Sequence, residues 1–240
     1  MHTSLRSLLA TSLILMPLAL KAEDNWIDLT LESSTAGSPP AVEKFEKGNV
    51  GHSVQSLAVT DNNKVEVVTN APNFPGKALQ FTKTAADPRT PWAVMASSPG
   101  LATGGKFRFT WEAQIDSFNS NEKFPGFEAL LTFVLSDKTG TPFFNLYYLV
   151  GRDESSGTFA SGNTKFGKWM AGQKQRFEVT VDLDEKTATI KIDGDQVGDV
   201  IHLPATMDGL RVVQFCDGTG LANYGGKFTA TLAGFKMTQL

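Results

Sequence analysis

The sequence predicts an all-β chain folded as a two-sheet antiparallel β-sandwich, and three observations carry that expectation. Apolar and polar residues alternate with a period of two through long segments after residue 105. Side chains of an extended strand point alternately to opposite faces, so this period gives one buried and one wet face. Turn residues punctuate the alternation at short intervals, as at Gly104-Gly105, Asp137 to Gly140, Asp193-Gly194 and Gly225-Gly226. No stretch carries the 3.6-residue apolar period of an amphipathic helix three turns long.

In chain order, residues 1–22 read as an export signal. Arg6 precedes an apolar run from Leu8 to Leu20, interrupted only by Thr11, Ser12 and Pro17, and Ala22 supplies a small residue before Glu23. The run is too short to span a bilayer comfortably. Cleavage after Ala22 is expected, leaving one domain over 23–240 in a secreted or periplasmic location. Short strands follow around Trp26–Leu31, Ser56–Thr60, Lys64–Thr69, Ala78–Lys83 and Trp92–Ser97. The stretch 33–44 (SSTAGSPPAVEK) reads as a loop within the domain, and residues 40–47 (PAVEKFEK) allow one short helical turn.

The clearest strand is 106–116. Phe107, Phe109, Trp111, Ala113 and Ile115 point one way, while Lys106, Arg108, Thr110, Glu112, Gln114 and Asp116 point the other. The pattern places Trp111 in the core. Residues 176–183 repeat it with Phe177, Val179, Val181 and Leu183 inward. Asp184-Glu185-Lys186 turns the chain, and 187–193 return with Ala188, Ile190 and Ile192 inward. Asp193-Gly194 is a tight-turn pair leading into 195–203. Segments around Phe127–Leu135 and Phe143–Val150 are apolar on both faces, which predicts central, covered strands. Arg211–Phe215 and Lys227–Thr238 complete the set.

Charge and cysteine content exclude several partners. The chain has 22 Lys and Arg against 25 Asp and Glu; losing Arg6 and Lys21 with the signal leaves a net charge of −5. No basic cluster occurs, which argues against nucleic acid and anionic membranes. No segment after the signal is long and apolar enough for a membrane helix. Cys216 is the only cysteine, so no intrachain disulfide forms. In RVVQFC it reads as a small buried hydrophobe, with no nearby His to activate the thiol.

Three segments resemble the concanavalin A-like lectin/glucanase superfamily, especially its bacterial laminin-G-like members. They are GKALQF (76–81), KFRFTWEAQID (106–116) and KWMAGQKQRFEVTVDLDEKTATIKIDGDQVG (168–198), the last with its Trp, spacer, strand, turn and strand ending in Asp-Gly. The likeness covers roughly 76–240 and implies a jelly roll whose N-terminal strand pairs beside the C-terminal one. It implies fold more than activity.

Laminarinase-type hydrolases of that superfamily carry Glu-x-Asp-x-x-Glu on one strand, and this chain has no such spacing. Glu178 with Asp182, like Glu112 with Asp116, lies about 13 Å apart at strand rise, too far for either glycosidase geometry. The Gln-x-His strand of the alginate-lyase-like members is also absent: His52 sits in an expected loop, and no Gln stands two before His202, which reads as a partly buried strand-end residue. No nucleophile-elbow, zincin, phosphate-loop or dinucleotide motif occurs. No catalytic residue and no cofactor are therefore expected. Structural calcium is the open alternative at Asp61-Asn62-Asn63, Asp193-Gly194-Asp195 and Asp217–Gly220, although Asp-Gly and Asp-Asn pairs also simply make turns.

What remains is a polar sheet face: Arg108, Glu112 and Gln114 on one strand, Arg176 and Glu178 on the next, and Asn145 and Tyr147 between them. Planar donors and an aromatic group on one face suit a polysaccharide or other glycan. An ordinary solvated face with cross-strand ion pairs fits the same residues. Trp92 and Trp169, with Arg152 nearby, are further candidates for a platform or for the core. The leading expectation is an exported, non-catalytic glycan-binding domain. The alternatives are a divergent glycoside hydrolase or polysaccharide lyase on the same fold, or a structural or adhesive envelope protein.

Overall fold

Sixteen strands and no helix are found in the residues described by a computed structural model, which are 24–38, 43–47, 50–57, 63–83, 91–119, 129–150, 155–216 and 227–240. They are β1 (Asp24–Asp28), β2 (Glu43–Lys47), β3 (Val50–Leu57), β4 (Asn63–Ala71), β5 (Phe74–Lys83), β6 (Trp92–Ala102), β7 (Lys106–Asn119) and β8 (Ala129–Ser136), then β9 (Pro142–Val150), β10 (Ser156–Ser161), β11 (Thr164–Met170), β12 (Gln175–Asp182), β13 (Thr187–Ile192), β14 (Asp195–His202), β15 (Leu210–Cys216) and β16 (Lys227–Gln239). The expected signal (1–22), Arg152 and the oxygen-rich residues 61–62 and 217–220 lie outside the described residues.

The strands form two antiparallel sheets. The first has the order β14-β13-β12-β7-β16-β5-β4, with β1 also pairing β16; the second has the order β11-β10-β9-β8-β15-β6-β3-β2. Alternation in sequence becomes pairing in register. Phe177, Val179 and Val181 of β12 stand opposite Trp111, Phe109 and Phe107 of β7 on one side, and opposite Ile192, Ile190 and Ala188 of β13 on the other. All are buried. They meet Phe133 and Phe215 from the second sheet, and each large side chain so covered is worth about 1.5–3 kcal/mol of transfer free energy. The expected β1–β16 pairing is present. A bulge near Gly234, at φ 62°, separates the part of β16 that pairs β5 from the part that pairs β1. Asp193 and Gly194, at φ 55° and 95°, make the type I′ turn that the Asp-Gly pair predicts.

Four local expectations differ from the structure. Residues 43–47 form strand β2 against β3 and not a helical turn, because one isolated turn has little cooperative support while a ladder satisfies its backbone groups. That ladder extends β3 back to Val50, so His52 lies in a strand. The β10–β11 hairpin was not expected, since SGTFAS and TKFGKWM are rich in Gly, Ser and Lys. Cys216 is half-buried and faces away from the core, because the period of two commits its neighbours Val213 and Phe215 inward. Trp169 belongs to the core, where its indole N–H donates to the Leu149 carbonyl at 3.1 Å.

Candidate functional site

The seven residues expected to share one face lie on two. Arg108, Glu112, Gln114, Arg176 and Glu178 are on the outer face of the first sheet, where Arg176 stands opposite Glu112 and Thr180 opposite Arg108. Asn145 and Tyr147 are on β9, in the second sheet. They cannot lie between β7 and β12, because those strands pair directly with each other.

On the first face most charges are matched locally. Lys174 pairs with Glu112 at 2.9 Å, Lys191 with Glu178 at 3.0 Å and Lys236 with Asp28 at 2.8 Å. Exposed pairs of this kind are worth about 0–1 kcal/mol each. Gln114 is withdrawn from the surface at 3% exposure. Its Oε1 accepts from Asn73 Nδ2 at 2.7 Å, and its Nε2 donates to Asp116 Oδ1 at 2.6 Å. The Thr231 hydroxyl donates to Asp116 Oδ2 at 2.7 Å, and a bulge in the β7–β16 ladder turns Asp116 toward it.

Burial raises the Asp116 carboxyl above its ordinary 3.8, against the lowering effect of the Thr231 and Gln114 hydrogen bonds. A raised folded-state value means that the folded chain holds this proton more tightly than the unfolded chain. The group therefore favours folding at low pH and turns against it as pH rises through the folded value. Asp116→Asn keeps an acceptor for Gln114 and offers Thr231 a donor. Its melting temperature at neutral pH should equal or exceed wild type, and its melting profile between about pH 4 and 7 should be flatter; a lower neutral melt contradicts this.

The second face is different in kind. Antiparallel register aligns Trp92, Cys216, Thr132 and Tyr147 across four adjacent strands, β6, β15, β8 and β9. A neighbouring row runs Val94, Gln214, Val134 and Asn145. Three strand spacings make each row about 14 Å long. The floor is β8, whose residues are buried on both faces of the sheet. Outward residues of a two-layer sandwich normally meet water, whereas the outward side of β8 is covered, and its flanking strands carry the larger, half-buried Tyr147, Asn145 and Gln214. Burial raises the Tyr147 phenol, and the nearby Cys216 sulfur pushes it the same way.

Two features of this face bear on chemistry. The Thr132 hydroxyl is buried, and no described residue hydrogen-bonds to it. An unmatched buried hydroxyl costs about 1–3 kcal/mol. The two rows themselves contain no charged side chain, and the one charged residue of the four strands, Arg211, donates to the Lys138 carbonyl at 2.9 Å. Sequence reasoning missed Trp92, Thr132, Gln214 and Cys216 as a group. The available signal was a single polar residue placed on the second face of otherwise apolar strands.

Among the described residues no three His, Cys, Asp or Glu side chains converge as a metal site. Asp193 Oδ1 accepts the Arg176 backbone N–H at 2.8 Å, which is a turn-fixing role.

No protein-family model matches this chain, and no curated protein matches it. Solved structures do. A Trypanosoma rangeli sialidase bound to the inhibitor DANA aligns at TM-score 0.52 and 12% identity over 91% of this chain and 30% of that one. Alginate lyase A1-II′, a member of polysaccharide lyase family 7, aligns at TM-score 0.51 and 11% identity over 75% of this chain and 84% of the lyase. A further sialidase aligns at TM-score 0.50 and 14% identity, over 86% of this chain and 19% of that one. This chain thus spans less than a third of the sialidases it matches. At such identities the likeness is one of fold: a two-sheet β-sandwich.

Proposed function

We propose that this chain is a glycan-binding β-sandwich domain that takes a neutral sugar segment along a recess on the outer face of the second sheet. The observation that carries the reading is the row Trp92–Cys216–Thr132–Tyr147, with aromatic groups at its two ends and an unmatched hydroxyl between them. Sugar rings present apolar faces to aromatic side chains and hydroxyls to amides and alcohols, which is what the two rows offer. The sandwich's occurrence in carbohydrate-active proteins supports the same class. Export with cleavage after Ala22, and a laminin-G-like subclass, belong to this proposal on the strength of the signal-like segment and the quoted motifs.

The enzymatic alternative has less support. Glycoside hydrolysis by a carboxylate pair needs two acids on the sugar-facing surface, and the four strands of the recess contain none.

The test is a glycan array at high protein concentration, followed by titration of the best neutral oligosaccharide into variants. Tyr147→Ala should weaken binding about tenfold without lowering the melt. Thr132→Val should move stability and affinity in opposite directions. The isosteric change removes a buried unmatched hydroxyl, so the melt holds or rises, while a sugar that parts the side chains covering it loses a partner. No binding anywhere on the array, or equal affinity for both variants and wild type, removes the reading.

A further inference from the structure

The outer face of the first sheet holds an open depression of about 420 Å³ lined by Arg176, Glu178, Lys191, Asp193 and Gly194 together with Phe177. Around it the ionic groups are matched with one exception. Glu178 is held by Lys191 at 3.0 Å, Glu112 by Lys174 at 2.9 Å, and Asp193 Oδ1 by the Arg176 backbone N–H at 2.8 Å. Among the described residues the Arg176 guanidinium has no hydrogen-bond or ion-pair partner, although Glu112 stands directly opposite on β7. The competing Lys174 explains this: its ammonium sits on the Glu112 carboxylate and 5.4 Å from the Phe74 ring centre, so Glu112 is already satisfied. The turn keeps the hollow open on its far side, since Gly194 has no side chain and lies at φ 95°, where a side chain is disfavoured.

We propose that this depression is a separate subsite for a uronic-acid unit of a glycan, with the sugar carboxylate on Arg176. A guanidinium offers two parallel N–H donors that match a planar carboxylate. The other groups select among anions. Glu178 and Asp193 bring negative charge beside the arginine, which penalises a densely charged phosphate or sulfate dianion but leaves acceptors for sugar hydroxyls. A single carboxylate surrounded by hydroxyls fits that mixture of donors and acceptors. The subsite lies on the opposite side of the sandwich from the Tyr147 recess, and it shares with the preceding reading only the premise that the ligand is a glycan.

The experiment titrates short oligomers of galacturonate, glucuronate and mannuronate, and their methyl esters, into the full chain by calorimetry. Wild type should bind at least one oligouronate and not its ester. Arg176→Gln should weaken that binding about tenfold or more with an unchanged melt, as loss of a charge-assisted contact requires. Tyr147→Ala and Thr132→Val should leave it intact. Failure of every oligouronate to bind, equal binding of an ester, or undiminished binding by Arg176→Gln overturns the subsite. Oligouronate binding that falls with Tyr147→Ala but not with Arg176→Gln also overturns it, and supports the recess on the second sheet instead.

Discussion

Trp111→Ala is expected to cost about 3–5 kcal/mol of unfolding free energy, the upper range for a large-to-small change in a packed core. Trp111 is 1% exposed at the centre of an aromatic cluster that joins the two sheets. Its ring stacks on Phe177 at 5.2 Å between centroids, lies 4.6 Å from Phe133 and meets Phe215 edge-on at 5.2 Å. The indole N–H donates to the Tyr148 hydroxyl at 3.4 Å, so truncation also strands a buried phenol whose titration is already pushed upward by burial. Domains of this kind have about 5–15 kcal/mol in total, so the variant should melt far below wild type or fail to accumulate folded. Urea unfolding followed by tryptophan fluorescence and circular dichroism measures it. An unchanged midpoint would mean that the two faces of β7 are inverted, with Arg108 and Glu112 inside.

Gly157→Ala should be nearly as damaging, for a different reason. A Cβ at this position would lie 2.0 Å from the Leu149 carbonyl oxygen and 2.4 Å from two ring atoms of Trp169. The first of these is backbone in a paired strand and cannot step aside; the second is a buried indole whose N–H donates to that same carbonyl. One methyl therefore clashes with the β9–β10 ladder and breaks the Trp169 hydrogen bond together. Overpacking of this severity costs about 3 kcal/mol or more. Gly172→Ala is the comparison: at φ 77° with nothing within 4 Å of its Cβ, it should cost about 1 kcal/mol of backbone strain alone. Equal melting temperatures for the two variants would contradict the close packing at Gly157.

These two residues also show how far the sequence carries. Trp111 was legible as core because a period of two over eleven residues leaves no second assignment for its face. The same alternation put Arg108 and Glu112 together, and the Asp-Gly turn fixed how β13 leaves β12. Gly157 was not legible, because nothing near it in SGTFAS shows that Trp169 and Leu149 close around it from other strands. Asn145 and Tyr147 failed in the same way. Their period correctly sets them on the face away from Leu146 and Tyr148, but a period of two says nothing about which sheet a strand joins, and that depends on pairing with distant β8. Trp92, Thr132 and Cys216 become one row only after two further strands are in register. Arg176 was named from the sequence as a planar donor, yet the lack of an ion-pair partner on its guanidinium depends on Lys174 capturing Glu112, a choice made in three dimensions.

The central proposal is that a recess on the outer face of the second sheet is the sugar-binding surface. Backbone amide resonances followed by NMR during titration with the neutral oligosaccharide chosen from the array test it most directly. The account predicts that the saturable shift changes concentrate on Thr132, Val134, Asn145, Tyr147, Gln214 and Cys216, alternate residues of three neighbouring strands, while Arg108, Glu112 and Glu178 stay unmoved. Shift changes confined to β7, β12 and β13, or spread without relation to the outward residues of β8, β9 and β15, would contradict it.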